Sequence, residues 1–214
     1  MQIAILGTGN VGSALARALS RAGHSLTLGT RDPGHAPAHA LATATGARLA
    51  TASDAAQAAD VILLALPWTA LATTLPSLGP LTGKTVIDCT NPLTPTPHGL
   101  DLATGHTDSG AEQVQRLLPA AHVVKTLNQT GAEMMEDNTR LPHRPVQFLA
   151  GDNPQAKAIA ATLLRDLGFD PLDAGPLHRA RLLEPFALLW INQALLRGKG
   201  RHWAFAALDA QERP

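Results

Sequence analysis

The sequence predicts an α/β fold: a doubly wound, mostly parallel sheet with a small helical appendage at the C-terminal end. In the first half, short aliphatic runs alternate with helical patterns, which is typical of parallel strands joined by crossover helices. A glycine-rich loop connects the first such run to the first helix, and after residue 176 the pattern is helical only. We therefore divide the chain into a main α/β domain, residues 1–175, and a C-terminal helical segment, residues 176–214.

Length, charge and cysteine content exclude several classes of protein. A chain of 214 residues can bury a sizeable core. Its 17 basic and 17 acidic residues balance, which argues against a general nucleic-acid or membrane-surface binder. Cys89 is the only cysteine and the nine histidines are scattered, so neither a disulfide nor a metal site is predicted. Apolar stretches fall short of the roughly 20 residues of a membrane span. We expect a cytoplasmic protein.

The expected elements follow from hydrophobic periodicity, turn residues and helix caps. Strands are expected, in chain order, at about residues 2–6, 25–29, 47–51, 61–66, 85–88, 122–126, 146–149 and 170–173. Longer helices are expected at about residues 11–22, 38–45, 154–167 and 177–196. The run from Val61 to Leu66 is apolar throughout, as in a central strand that is buried on both faces.

Three local features complete this assignment. Ser53 is expected to supply the side-chain oxygen that caps a brief helix after the third strand. Residues 93–108, rich in Pro, Gly and Thr, are expected to form one long loop. The pattern from Leu177 to Leu196 is expected to form one long helix, apolar on most faces, which needs cover from the main domain and from a second subunit.

The glycine-rich loop follows the first strand and opens the first helix. It reads Gly7, Thr8, Gly9, Asn10, Val11, Gly12. In this context the first glycine permits a tight turn, the second lets backbone approach a pyrophosphate, and the third lets helix pack on strand. The free N–H groups and the dipole of the helix N-terminus also favour phosphate. The sequence therefore indicates a Rossmann-like dinucleotide-binding domain.

Arg31 indicates which dinucleotide is bound. A free ribose 2′-hydroxyl is usually held by an acidic residue at the end of the second strand, whereas a 2′-phosphate calls for an arginine nearby. Arg31 can form charge-assisted hydrogen bonds with that phosphate, and Thr30 and His35 can assist. The alternatives are a solvated Arg31 paired with Asp32, or an Asp32 that tolerates NAD. We favour NADP(H).

Further loops should converge on this site, because ligands of open α/β sheets bind beyond the carboxyl ends of the strands. The residues concerned are Leu66, Pro67, Trp68, Asn91, Asn128 and Ala132. The indole of Trp68 either walls the nicotinamide pocket or packs on the helix behind it. Asn91 and Asn128 either bond the nicotinamide amide or ribose, or stabilise their own turns.

No catalytic dyad of the acid–base or nucleophilic kind is visible in the sequence. Cys89 ends a strand without an activating partner and is expected to be structural. Hydride transfer between two cofactors fits such a chain, because the cofactors carry the chemistry and the protein holds their rings at reacting distance.

The chain resembles the F420-dependent NADP reductase family, enzymes that pass hydride between NADPH and a deazaflavin. The same fold forms the cytosolic domain of membrane metalloreductases. The resemblance is carried by the glycine loop, by Gly29-Thr30-Arg31, by Pro67-Trp68, and above all by the stretch from Pro171 to Leu177 with its continuation through Glu184.

This resemblance implies a set of NADP contacts. They involve Thr8 to Val11, Thr30, Arg31, and His35 where the family often has a lysine, with Leu66, Pro67 and Ala132 bordering the nicotinamide. The deazaflavin would lie near residues 200–203, and a homodimer is expected. Residues 125–132 differ from the His-containing loop of the archaeal reductases and look more like the metalloreductase domains.

The hydride acceptor is therefore left open. One hypothesis is F420 or a flavin. A second is a small C=N or C=O substrate, for which Thr130 or Asn128 would be the donor. A third is an NADP(H)-sensing protein without turnover.

Overall fold

The computed structural model describes residues 1–32 and 34–210. Its strands, in chain order, are β1 (Gln2–Leu6), β2 (Ser25–Thr30), β3 (Arg48–Thr51), β4 (Val61–Leu64), β5 (Thr85–Asp88), β6 (Leu93–Thr96), β7 (Gly99–Leu102), β8 (His122–Lys125), β9 (Val146–Gly151) and β10 (Asp170–Gly175). Its α-helices are α1 (Asn10–Arg21), α2 (Ala36–Thr45), α3 (Ala52–Ala58), α4 (Trp68–Thr74), α5 (Gly110–Leu117), α6 (Ala132–Glu136), α7 (Pro154–Asp166) and α8 (Ala180–Ile191).

The predicted α/β fold is confirmed by the topology of the large sheet. Eight strands lie in the order β10-β9-β8-β5-β4-β1-β2-β3. From β3 to β8 all neighbours are parallel, whereas β9 runs antiparallel to β8 and β10 runs parallel to β9. Consequently β1, β2, β4, β5 and β8 all end at one edge, which we call the carboxyl edge.

Helices cover both faces of this sheet. On one face, Leu15 and Leu19 of α1 and Leu163 of α7 belong to one buried apolar cluster with the strands. On the other face, Ala55 of α3 and Val114 of α5 belong to a second cluster. The predicted burial of the fourth strand is confirmed for Val61–Leu64, but the strand ends there, and Ala65 and Leu66 are only partly buried. No helix within residues 1–32 and 34–210 is long and apolar enough to cross a membrane.

The expected cap of α3 is wrong. The helix begins at Ala52, so the capping position falls on Thr51, whose hydroxyl accepts the amide of Asp54 at 3.1 Å and donates to its carboxylate at 2.8 Å. Ser53 lies inside the helix, and its hydroxyl donates instead to the carbonyl of Leu78 at 3.3 Å. A shift of the helix start by two residues therefore moves the cap from one hydroxyl to another.

Residues 93–108 are not one loop, because β6 and β7 pair there as an antiparallel hairpin. Leu93 lies opposite Leu102 and Thr96 opposite Gly99. Gly99 has φ +121°, a conformation that glycine adopts without a steric penalty. The turn residues that suggested a loop thus build the tight turn of the hairpin.

The expected single helix at Leu177–Leu196 is divided into three pieces. A 3-10 turn (Leu177–Arg179) leads into α8, and a π-helical turn (Asn192–Leu196) follows it. Pro185 lies inside α8 and cannot donate the hydrogen bond that a regular helix needs there. The short helices α4, α5 and α6 are not predicted by the sequence pattern, since each has only one or two turns.

We expect Thr51→Ala to lower the free energy of unfolding by about 1 kcal/mol, because it removes the oxygen that caps α3. Thr51→Ser retains that oxygen and is the matched control. Urea denaturation followed by circular dichroism measures both. Equal losses for the two variants would show that the methyl group, rather than the cap, matters.

Candidate active site

The glycine loop has the geometry that its sequence predicts. Gly7 has φ +106°, and a Cβ there would lie 2.5 Å from the carbonyl oxygen of Ala65. A Cβ on Gly12 would lie 1.9 Å from the carbonyl oxygen of Gly7, so the helix approaches the strand too closely for any side chain. A Cβ on Gly9 meets nothing within 4 Å. The first and third glycines are thus required by packing, and the second faces open space.

The N-terminus of α1 opens on that same space. Gly9 occupies the capping position, and no side chain caps the first turn of the helix. Gly9 and Asn10 are exposed, Thr8 and Val11 are partly exposed, and the Ser13 hydroxyl donates back to the carbonyl of Thr8 at 3.1 Å. Free amides and a positive dipole end therefore face outward, which suits an anionic pyrophosphate.

Arg31 lies exposed just beyond β2 and takes part in none of the ion pairs formed within residues 1–32 and 34–210. Its neighbour Asp32 accepts the amide of Gly34 at 2.8 Å, so that carboxylate stabilises the local turn instead of pairing with Arg31. The Thr30 hydroxyl lies 3.3 Å from the amide of Asp32. His35 is exposed at the start of α2. The guanidinium is consequently available for an anion.

The turn after β4 leads to a partly buried indole. Leu66 is partly buried, Pro67 is exposed, and Trp68 is the first residue of α4. A Cβ on Gly110 would lie 3.0 Å from Cζ3 of Trp68, which shows that the indole packs against the start of α5. One edge of the Trp68 ring therefore packs against a helix, and its role as a wall of the nicotinamide pocket stays a prediction.

Asn91 and Asn128 lie at the carboxyl edge and bond to each other. The Asn91 amide donates to the carbonyl of Asn128 at 2.9 Å, and the Asn128 amide donates to Oδ1 of Asn91 at 3.1 Å. Asn128 also donates to the carbonyl of Leu183 at 3.3 Å and accepts from Gln129 at 2.9 Å. These amides join the loops after β5 and β8 to the C-terminal segment.

The loop after β8 continues into α6, which packs against α1. Ala132, the first residue of α6, is partly buried against the apolar cluster that contains α1. Two residues earlier, Thr130 is 7% exposed, and its hydroxyl has no hydrogen-bond partner among the described residues. The sequence-predicted residues from β1, β4, β5 and β8 thus share the carboxyl edge, and Thr30 and Arg31 join them from β2.

A buried ion cluster lies beneath this edge. Lys125, the last residue of β8, is fully buried; its ammonium lies 2.9 Å from Asp88 Oδ2 and 3.3 Å from Glu184 Oε1, and donates to the Thr90 carbonyl at 2.5 Å. The other oxygen of Asp88 accepts the Thr90 amide at 3.0 Å and its hydroxyl at 2.7 Å. Burial alone lowers the pKa of Lys125, but both carboxylates raise it, and its pKa lies above the ordinary value.

Glu184 links this cluster to α5. Its carboxylate accepts the amides of Gly110 at 2.9 Å and Ala111 at 3.1 Å, the first two amides of α5. Burial and the neighbouring Asp88 raise the pKa of Glu184 above its ordinary value, although the Lys125 ammonium and the two amides act in the opposite direction. A second link lies one turn earlier, where the Arg181 guanidinium donates to both oxygens of Glu112 at 2.9 and 2.6 Å.

Lys125, Asp88 and Glu184 are absent from the candidates that the sequence suggested. Two signals mark them: a lysine at the end of the buried run Val123–Lys125, and an acid in the apolar pattern of α8. Each signal indicates a buried charged side chain, which needs an oppositely charged partner. Only the folded chain shows that they are each other's partners.

Cys89 and possible metal ligands are two further kinds of reactive group to consider. Cys89 is buried, and its burial and the neighbouring Asp88 raise the pKa of the thiol, so it remains protonated and a poor nucleophile. Within residues 1–32 and 34–210, His, Cys, Asp and Glu form no group of three or more able to hold a metal ion.

We expect Lys125→Met to lower the free energy of unfolding by about 3–5 kcal/mol, because two buried carboxylates lose their counter-charge. The matched control is Lys157→Met, which removes a more exposed pair with Asp173 and should cost no more than about 1 kcal/mol. Urea denaturation measures both variants. Equal losses would contradict the special role of the buried ammonium.

Comparison with known proteins identifies the family. Residues 2–92 match the sequence profile of the NADP oxidoreductases described as coenzyme F420-dependent. The F420-dependent NADP reductase of Methanothermobacter marburgensis is 32% identical, and the match covers 90% of this chain and 92% of that one. The metalloreductase STEAP3 of Rattus norvegicus is 30% identical over 87% of this chain, which spans 36% of STEAP3.

A solved structure agrees with these matches over the whole fold. The structure of a candidate F420-dependent NADP reductase from Arthrobacter sp. FB24 is 36% identical, with a TM-score of 0.88, and the match covers 98% of this chain and 100% of that one. With this agreement in sequence and in fold, the protein described above belongs to the F420-dependent NADP oxidoreductase family and is an NADP-dependent oxidoreductase.

Proposed function

We propose that this protein transfers hydride between NADPH and a deazaflavin of the F420 type or a flavin. In the direction of acceptor reduction, NADPH supplies a hydride, the acceptor takes up that hydride and one proton from solvent, and NADP⁺ remains. The observation that carries the proposal is the open cradle at Gly9 with the exposed guanidinium of Arg31 beside it. Its support from relatives is the similarity to a named F420-dependent NADP reductase over nearly its full length.

The residues present fit NADP. The amides from Thr8 to Val11 would receive the pyrophosphate, because no side chain caps that helix start. Arg31 would bind the 2′-phosphate, with Thr30 and His35 beside it. Leu66, Pro67, Trp68 and Ala132 would border the nicotinamide at the carboxyl edge. Asn91 and Asn128 lie at the same edge, where their side chains already bond to each other.

The C-terminal segment offers a surface for a planar acceptor. The chain has only seven aromatic residues, three Trp and four Phe. Five of them meet where this segment packs on β9, namely Phe148, Phe186, Trp190, Trp203 and Phe205. The Trp190 and Trp203 rings stack with centroids 5.6 Å apart, and Trp203 remains partly exposed. Stacked, partly exposed rings suit a flat heteroaromatic ligand.

A second candidate function is the reduction of a small C=N or C=O substrate. Such a reaction needs a proton donor beside the nicotinamide. The buried hydroxyl of Thr130, without a partner among the described residues, is the observation that favours it. Thr130 lies between Asn128 and Ala132 in the loop that borders the proposed nicotinamide site.

We also propose a homodimer that covers the outer face of α8. Leu182 is 60% exposed and Leu189, two turns later, is 48% exposed. Leu195 and Leu196 are also about half exposed in the π-helical turn that follows. This run of exposed leucines is apolar area that a second copy of the chain would remove from water.

The acceptor is tested by following NADPH oxidation with F420, FMN, ferric chelates and cyclic imines in turn. We expect F420 or FMN to be reduced faster than ferric chelates or cyclic imines, because a flat ring system could stack on the aromatic cluster of the C-terminal segment. Faster reduction of a cyclic imine, lost in Thr130→Val, would support the second candidate instead. Tight NADPH binding without turnover on any acceptor would contradict both and indicate a sensor.

We expect Arg31→Ala to weaken NADPH binding about 10- to 100-fold and NADH binding hardly at all, because a charge-assisted bond to the 2′-phosphate is worth about 1.5–3 kcal/mol. Isothermal titration calorimetry with both nucleotides measures the difference. Arg165→Ala, an exposed arginine on α7, is the control. An equal loss for the two nucleotides would remove Arg31 from the phosphate site.

A further inference from the structure

The segments that follow β4 and β5 meet α8 at one glycine, Gly110. A Cβ on Gly110 would lie 3.0 Å from Trp68 Cζ3, 3.1 Å from Glu184 Oε1 and 3.3 Å from Pro92 Cγ. Trp68 follows β4, Pro92 follows β5, and Glu184 belongs to α8. The start of α5 is therefore the point where the proposed nicotinamide border touches the C-terminal segment.

Two layers of polar contacts hold these elements together. In the lower layer, Lys125 of β8 bridges Asp88 of β5 and Glu184 of α8. The upper layer lies three residues beyond the end of each strand. There the Asn128 amide donates to Oδ1 of Asn91 and to the carbonyl of Leu183. Each layer joins the same three elements, β5, β8 and α8. We call the six residues Asp88, Asn91, Lys125, Asn128, Leu183 and Glu184, together with Gly110, the clamp.

We propose that the clamp sets the distance between the nicotinamide edge of the NADP cleft and the C-terminal segment, and that Lys125 and Glu184 are positioning residues for hydride transfer. This inference rests on the proposed function, in which that segment receives the acceptor. Asn91 and Asn128 then act through α8 rather than by touching the cofactor. The clamp contains no group that exchanges a proton or hydride with either ligand.

Hydride transfer tolerates little error in the distance between donor and acceptor atoms. Reacting atoms must be held about 3–3.5 Å apart, and a misplacement of about 1 Å costs roughly 100-fold in rate. A buried ion cluster contributes little net stability, because apolar side chains of similar volume in its place often give an equally stable protein. Its directional contacts do, however, restrict α8 to one position relative to β5 and β8. The glycine loop and Arg31, which would bind the two phosphate groups, lie outside the clamp, so most of the NADPH affinity should not depend on it.

Gly110→Ala tests the clamp with one methyl group. The methyl displaces Trp68, Pro92 and Glu184 by a few tenths of an ångström, so we expect single-turnover hydride transfer at saturating NADPH to slow about tenfold. The dissociation constant of NADPH should change much less than this rate, because the glycine loop and Arg31 are not displaced. Gly151→Ala is the matched control: its Cβ would meet Val123, Val124 and Lys157 at 3.0, 3.1 and 3.3 Å, and none of these atoms belongs to the clamp. It should leave the transfer rate within twofold.

Glu184→Gln removes the charge but keeps the shape, and should slow transfer in the same way. If this variant does not fold, Gly110→Ala carries the test. Rates that are unchanged, that fall equally in Gly110→Ala and Gly151→Ala, or that fall in step with NADPH affinity would overturn the proposal.

The acceptor in these assays is the one that the wild-type protein reduces fastest. Failure of the proposed function therefore appears as a wild type inactive with F420 or flavin, and failure of the clamp as variants that equal the wild type. If the wild type reduces none, amide hydrogen exchange in Ala180–Ile191 replaces the rate. Exchange should then accelerate in Gly110→Ala and Glu184→Gln but not in Gly151→Ala, and equal exchange in all three overturns the clamp.

Discussion

The ammonium of Lys125 between two buried carboxylates is the interaction on which the arrangement of this molecule depends. Asp88, Lys125 and Glu184 come from the fifth strand, the eighth strand and the last α-helix, and none is more than 1% exposed. A buried charge that loses its partner costs several kcal/mol. Each of these three groups is therefore stable in its buried position only while its partners are present. Each of the three elements is thus held by its need for the other two.

The same ion cluster holds the C-terminal segment against the main domain. The glycine loop and the start of α1 arise from local chain geometry and would form in any doubly wound sheet. The C-terminal segment has no strand within the described residues. It contacts α5 through Glu184 and Arg181, and it contacts β9 through the aromatic rings and through the Phe205 carbonyl, which accepts the Val146 amide at 2.8 Å. Five of the seven aromatic residues of the chain lie at this contact. The proposed hydride acceptor would lie between this surface and the cleft.

Much of the fold could be predicted because periodicity and turn residues report local preference. The strand β1 spans Gln2–Leu6, as predicted, and α7 begins at the Asn153-Pro154 pair, with Asn153 accepting the amide of Ala156 as its cap. The cap of α3 was misplaced by two residues because Thr51 and Ser53 are both suitable caps, and only the end of β3 decides between them. The hairpin at residues 93–102 was missed because its strands are four residues long and partly exposed.

By itself the sequence determined the alternation of strands and helices, the glycine loop, and the exposed arginine after the second strand, since each depends on residues that are neighbours along the chain. The tertiary structure decided which buried charges pair, that Asn91 and Asn128 bond to each other, and that Trp68 lies on Gly110. These contacts join residues 37 to 59 positions apart. Hydrophobic periodicity and turn residues report only on neighbours along the chain. They do not predict these contacts, which form only when folding brings β5, β8 and α8 together.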